Sequence, residues 1–90
     1  MFRVWGKIIK DNRMIKDYTA CIEDYTMKRT QKVYKALDEI CYEFNLGRPI
    51  WLDLNKKDFI KYARTRFTKD SFIEEIDFDY LDFWVIEEDY

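Results

Sequence analysis

The chain has 90 residues, enough for one domain spanning 1–90 and too few for a large internal active site, because a domain this small buries only roughly 60 to 65% of the surface its unfolded chain exposes. Hydrophobic residues (48%) and aromatics (19%) supply enough apolar bulk to fold without a metal or disulfide staple, while no apolar run exceeds four residues and no leader-like pattern opens the chain, so a cytoplasmic protein with no membrane contact is expected. The net charge of −2 conceals an asymmetry: residues 1–69 hold all 16 Lys and Arg against 9 acids, net +7, and residues 70–90 hold 9 acids and no base, net −9. Either the acidic end lies beside basic neighbours in the fold, or one of the two patches meets a charged partner.

Phe2 to Lys10 alternates, with Phe2, Val4, Gly6 and Ile8 on one face and Arg3, Trp5, Lys7 and Ile9 on the other, which predicts a strand. Gly6 marks a bulge, a close backbone contact, or room for an aromatic neighbour. Asp11-Asn12 suits a tight turn because both side chains tolerate positive φ, and Met14 to Ile22 resumes as the second strand of a hairpin.

Val33, Leu37, Ile40, Cys41 and Phe44 recur at helical spacing and predict a helix over Lys28 to Leu46. Thr26 or Thr30 is the candidate N-cap, Lys32, Lys35, Asp38, Glu39 and Glu43 fall away from the apolar stripe, and Gly47 is placed to close the last turn. Arg48-Pro49 cannot continue the helix, so Arg48 to Leu54 is expected to be extended and to seal a core edge. Asn55 then caps a second helix running to about Phe67, with Phe59, Ile60, Ala63 and Phe67 as its buried stripe. Thr68 to Ser71 is a polar link, with a short turn of helix over Phe72 to Glu75. Ile76 to Ile86 reads as a long strand whose second half is apolar on both faces, a pattern that fits a central strand, a bulge near Leu81, or an apolar face that pairs with a second chain.

The order strand, strand, helix, helix, strand predicts an α+β fold, a two-layer ββααβ domain with a three-stranded antiparallel sheet carrying two helices on one face. Trp5, Ile9, Ile15, Phe83 and Val85 are then expected on the uncovered sheet face. Cys21, in a strand, and Cys41, on the helix stripe, are expected to be buried and reduced.

The absence of histidine removes the usual general base near neutral pH, the nucleophile–histidine pairs and most zinc sites, so no catalytic residue, metal or cofactor is expected. Asp77, Asp79 and Asp82 with Glu74 and Glu75 lack the spacing and the glycine of an EF-hand and read as a solvated strand face. Gly6 and Gly47, the only glycines, build no phosphate-cradling loop. Lys56, Lys57, Lys61, Arg64 and Arg66 with Lys69 give net +5 over 56–69 and, with Tyr62, form a set able to follow phosphates and stack on a base.

The stretches Met1 to Met14 (MFRVWGKIIKDNRM), Gly47 to Leu52 (GRPIWL) and Phe78 to Asp89 (FDYLDFWVIEED) resemble those of small, uncharacterised cytoplasmic proteins of anaerobic Gram-positive bacteria. No activity is attached to that group, so the resemblance implies a free-standing bacterial domain and transfers no functional residue.

The reading is therefore a non-enzymatic module that self-associates as a homodimer or binds a protein partner through Trp5, Ile9, Phe83, Trp84 and Val85. Its rival is a nucleic-acid-binding domain that uses Lys56, Lys57, Lys61, Tyr62, Arg64 and Lys69.

Overall fold

The structure, a computed structural model, describes residues 1–88. Asp89, the last residue of the third resemblance stretch, lies outside the described residues. Strand β1 (Phe2–Lys10) and strand β2 (Arg13–Ile22) form the expected hairpin, turned by Asp11 at φ 53° and Asn12 at φ 63°. Two consecutive positive φ angles match the right-handed twist of the flanking strands. The pairing slips between Ile8 and Ile9, which leaves Ile15 as the extra residue on β2, exposed instead of seated on a face.

Helix α1 (Arg29–Glu43) buries Val33, Ala36, Leu37, Ile40 and Cys41, and Lys32 joins them at 6% exposure. A lysine can enter such a stripe because its methylene stem packs while its ammonium stays near aromatic rings; here Nζ lies 5.9 Å from the Phe2 ring and 5.8 Å from that of Tyr25. Neither threonine caps the helix: Lys28 is the cap residue, its N–H donating to Gln31 Oε1 at 3.0 Å, and Thr26 instead bonds Asp24. Nor does Gly47 close the last turn. Asn45 takes the left-handed conformation at φ 56°, while the N–H of Leu46 donates to Cys41 O at 2.8 Å and that of Asn45 to Tyr42 O at 3.1 Å. These paired bonds satisfy the final carbonyls as a Schellman motif does.

Helix α2 (Asp53–Tyr62) starts two residues before Asn55 and ends well before Phe67. Leu52, not Asn55, is the cap residue, and Asn55, 3% exposed, stands three positions on inside the helix. Its Oδ1 accepts from Leu52 N–H at 3.0 Å and from Ser71 Oγ at 3.3 Å, while its Nδ2 donates to Thr65 Oγ1 and Arg66 O, both at 2.9 Å. Both amide hydrogens and the carbonyl oxygen are thus engaged, which makes the side chain a tie between α2 and the chain that follows. Ile60, expected in the stripe, is 88% exposed.

Ala63 stands at φ 54° and stops the helix, and Arg64–Thr68 runs on as strand β3. Lys69–Ser71 forms a short 3-10 turn ahead of the place expected for one, and strand β4 (Tyr80–Glu87) starts four residues later than expected. The described residues form an α+β fold with two helices and a four-stranded antiparallel sheet in the order β2-β1-β4-β3, one strand more than the sequence predicts. β4 is a central strand, which accounts for its two apolar faces.

One sheet face carries Phe2, Val4, Gly6 and Ile8 of β1, Ala20 and Ile22 of β2, Thr65 and Phe67 of β3, and Leu81, Phe83 and Val85 of β4. These residues are buried, and both helices meet them: Ile40 of α1 lies over Gly6, and the Phe59 ring of α2 sits 5.8 Å from that of Phe83. Phe83 (0% exposed) and Val85 (7%) therefore belong to the core and not to the uncovered face, because they differ in strand parity from Trp84. Trp51, in the segment between the helices, closes one end of the core edge-on to Tyr34, Phe59, Phe67 and Phe83 at centroid distances of 5.0–6.2 Å. Among the described residues, no helix is long and apolar enough to cross a membrane.

Gly6 admits α1 to the sheet: a Cβ there would lie 2.6 Å from Ile40 Cγ2, and Ile40 is fully buried with nowhere to retreat. Gly6→Ala is expected to destabilise the fold by about 1–3 kcal/mol in urea melts, and Ile40→Ala, which removes the Cγ2 that the new methyl would meet, is expected to cost less in that background than in the wild type. The two cysteines differ as well, since Cys21 is exposed while burial, helped by Asp38, pushes the Cys41 thiol up to about 12. A thiol reagent at neutral pH is expected to titrate one cysteine in the native protein and both in denaturant.

Candidate functional site

The other sheet face follows from the pairing registers. Opposite residues line up in three rows across the strands: Thr19–Trp5–Trp84–Arg64, Asp17–Lys7–Asp82–Arg66, and Met14–Ile9–Tyr80–Thr68. Each ring therefore has a cation in a direct or diagonal neighbouring position within reach of its long side chain. Trp5 and Trp84 stack at a centroid distance of 6.1 Å and an interplanar angle of 25°. Lys7 Nζ lies 4.2 Å from the Trp5 centroid, the Arg64 guanidinium 4.5 Å from Trp84, and that of Arg66 4.7 Å from Tyr80. Trp5 Nε1 donates to Asp17 Oδ2 at 2.9 Å.

At the centre stands Asp82, 2% exposed although it faces away from the helices. Arg64 grips it with two parallel bonds, Nε to Oδ1 at 3.0 Å and Nη2 to Oδ2, and Lys7 Nζ approaches Oδ2 at 3.4 Å. Burial alone raises the Asp82 carboxyl, but the Arg64 bonds and charge, followed by Lys7, outweigh it and hold the group below the ordinary carboxylate value. The same bonds raise Arg64. Farther along the face Arg3 Nε meets Glu87 Oε1 at 2.8 Å, and beyond the end of β4 Arg29 Nε, at the start of α1, meets Glu88 Oε1 at 2.6 Å. Among the described residues, three acids of the C-terminal stretch thus meet cations: Asp82 with Lys7 and Arg64, Glu87 with Arg3, and Glu88 with Arg29.

Beside β3 the face falls into a groove of about 520 Å³ lined by Asp58 and Tyr62 of α2, Arg64, Thr65 and Arg66 of β3, and Trp84 of β4. The groove brings together residues that the sequence reading assigned to rival sites: Trp84 from the interface set, Tyr62 and Arg64 from the nucleic-acid set. Of the remaining interface candidates, Trp5 and Ile9 are half-buried on this face, and Phe83 and Val85 are in the core. Of the remaining basic candidates, Lys56, Lys57 and Lys61 are exposed on α2 and Lys69 is exposed in the 3-10 turn, so the cations of 56–69 are divided among a helix, a strand and a turn. Lys7 and Tyr80 had no assigned role in the sequence, whereas Arg66 belonged to the basic set of 56–69 and Asp82 to the acidic run. The signal that places Arg64 and Arg66 on one strand face was the alternation of Arg64, Thr65, Arg66 and Phe67, which a helix reading hides.

The acidic run is also dispersed. Asp79 Oδ2 accepts from Asp11 N–H at 2.9 Å, Glu74 Oε1 accepts from Gly47 N–H at 2.6 Å, and Asp82 is held by the two cations. No protein-family model, curated protein or solved structure matches the chain.

Asp82→Asn is expected to cost about 1–3 kcal/mol at neutral pH, because the paired Lys7 and Arg64 then repel each other across a neutral amide. A folded-state value below the unfolded one gives stability that is present above the unfolded carboxylate value of about 4 and is lost as pH falls through the folded value. Urea melts from neutral pH downward are therefore expected to show the gap between wild type and variant closing in acid.

Proposed function

We propose that the chain is a non-enzymatic protein-interaction module whose contact surface is the sheet face around Trp5, Ile9, Tyr80 and Trp84. The observation that carries this reading is the pair Trp5–Trp84: two tryptophans stacked at the middle of the sheet, half-exposed, on the face opposite both helices. Large rings with few rotatable bonds supply contact area at low entropic cost and are enriched among the residues that dominate binding energy. Their cationic neighbours add direction, since a guanidinium or ammonium over a ring contributes about 0.5–1 kcal/mol at an exposed site and more once water is excluded. The absence of histidine, and the commitment of Asp82 to an ion-pair cluster, leave this face without an obvious acid–base pair and support a binding role over catalysis.

Exposed Lys56, Lys57 and Lys61, which form no ion pair with a described residue, support a second reading in which α2 and Tyr62 contact nucleic acid.

Panning a display library of random peptides against the wild type and a folded Trp5→Ala/Trp84→Ala variant tests the first reading. Enrichment on wild type alone is expected; equal enrichment on both, or none, overturns it. Light scattering at two protein concentrations shows whether the partner is a second copy, through a dimer mass that the double variant reduces to the monomer. Oligothymidylate binding that Lys56→Glu/Lys57→Glu/Lys61→Glu abolishes would favour the second reading.

A further inference from the structure

The groove beside β3 differs from the rest of the sheet face. Elsewhere on that face the cations are matched: Arg3 by Glu87, Lys7 and Arg64 by Asp82. Arg66 is exposed and its guanidinium lies over Tyr80, with no ion pair to a described residue. Across the groove, Lys61 Nζ lies 5.3 Å from the centroid of Tyr62, which adds a second unmatched cation at the rim. Asp58 is the one carboxylate in the lining, and it accepts a long hydrogen bond of 3.5 Å from Thr65 Oγ1.

The position of the two guanidinium groups over the rings discriminates between partners. A guanidinium lying on a ring occupies the ring face and leaves its own N–H edge for an anion, because one interaction uses the plane and the other its perimeter. Trp84 and Tyr80 therefore already carry Arg64 and Arg66 where a nucleobase would stack. A carboxylate needs no such displacement, since it meets the edge of Arg66 while the stack stays in place. The β3 backbone adds another constraint: Arg66 O on its outer edge is taken by Asn55 Nδ2, so strand addition along the whole edge is blocked and recognition falls to side chains.

We infer that the groove between the end of α2 and β3 docks an extended acidic segment of a partner protein, a carboxylate of which meets the edge of Arg66 while its neighbouring side chains lie against Tyr62 and Trp84. This inference rests on the interaction-module reading and specifies the chemistry of the partner. The charge complementarity resides in Arg66 and Lys61 together, with Arg64 already committed to Asp82.

The test is fluorescence anisotropy of a labelled poly-L-glutamate oligomer titrated with the folded protein at low and at physiological salt, with labelled oligothymidylate in parallel. Polyglutamate is expected to bind, and Arg66→Gln to weaken it by about tenfold, the effect of one lost charge-assisted hydrogen bond. Lys16→Gln, an equal change in net charge on exposed β2 at the opposite edge of the sheet, is expected to weaken it less than about twofold. Arg66→Lys retains the charge and loses the planar fork, and is expected to remain weak. Equal losses for Arg66→Gln and Lys16→Gln, full recovery by Arg66→Lys, absence of polyglutamate binding, or binding of oligothymidylate alone would each overturn the inference. Its failure is distinct from failure of the module reading. A peptide consensus without acidic residues that still depends on Trp5 and Trp84 removes the acidic segment and keeps the module, whereas a library with no enrichment removes both.

Discussion

Ala63 holds a left-handed backbone, and most of what distinguishes this sheet follows from it. That one residue lets α2 end and β3 begin without a loop: its N–H closes the last helical turn on Phe59 O at 2.9 Å, and its carbonyl accepts from Val85 N–H at 2.9 Å. β3 then lies along β4, β4 becomes central, and Arg64 and Arg66 are delivered beside Trp84 and Asp82. An alanine in this conformation costs on the order of 1–2 kcal/mol relative to the right-handed region. The helix and strand bonds on either side, with the Asn55 tie to Thr65 and Arg66, offset that cost. The groove thus depends on a local backbone conformation that the local sequence does not favour.

Electrostatics is arranged by the same pairing. β1 and β4 bring the basic beginning of the chain against its acidic end, so Arg3 and Lys7 face Glu87 and Asp82, and Arg29 at the start of α1 meets Glu88. The two opposed charge fields legible in the sequence meet at Asp82, Glu87 and Glu88, while the lysines of α2 and the arginine over Tyr80 stay exposed. Asp82 shows why cancellation also gives order. Its burial would disfavour the charged form, and only a bidentate arginine and a lysine on opposite neighbouring strands make the ionised carboxylate tenable there.

The elements that local pattern controls were readable. β1 keeps its alternation, the Asp11-Asn12 turn takes the positive φ angles those side chains allow, and the stripe of α1 is buried as the 3.6-residue period requires. Two features were not readable, for physical reasons. Ala63, Arg64 and Arg66 are good helix formers, and the spacing of Phe59, Ala63 and Phe67 fits a helix as well as a turn followed by alternation, so the break carried no glycine or proline to mark it. In β4 both parities are apolar, and Phe83, Trp84 and Val85 cannot share a face. The charged member of the even set, Asp82, was the clue that Trp84 and not Phe83 stands on the uncovered side.

The strand order has a kinetic consequence. β1 lies next to β2 in sequence but takes its second neighbour, β4, from the far end of the chain, and Arg3 pairs with Glu87 across nearly the whole length. Closing so large a loop is entropically slow, and until it closes the hairpin presents the inner edge of β1 as an unpaired row of amides and carbonyls beside its apolar face. A ribosome that has released β1, β2 and both helices has therefore produced eleven of the sixteen buried hydrophobic residues described and none of the strand that seals them. In that interval the chain is most exposed to pairing with another nascent copy, and the apolar run Phe83–Ile86 ends the exposure only when it slides between β1 and β3.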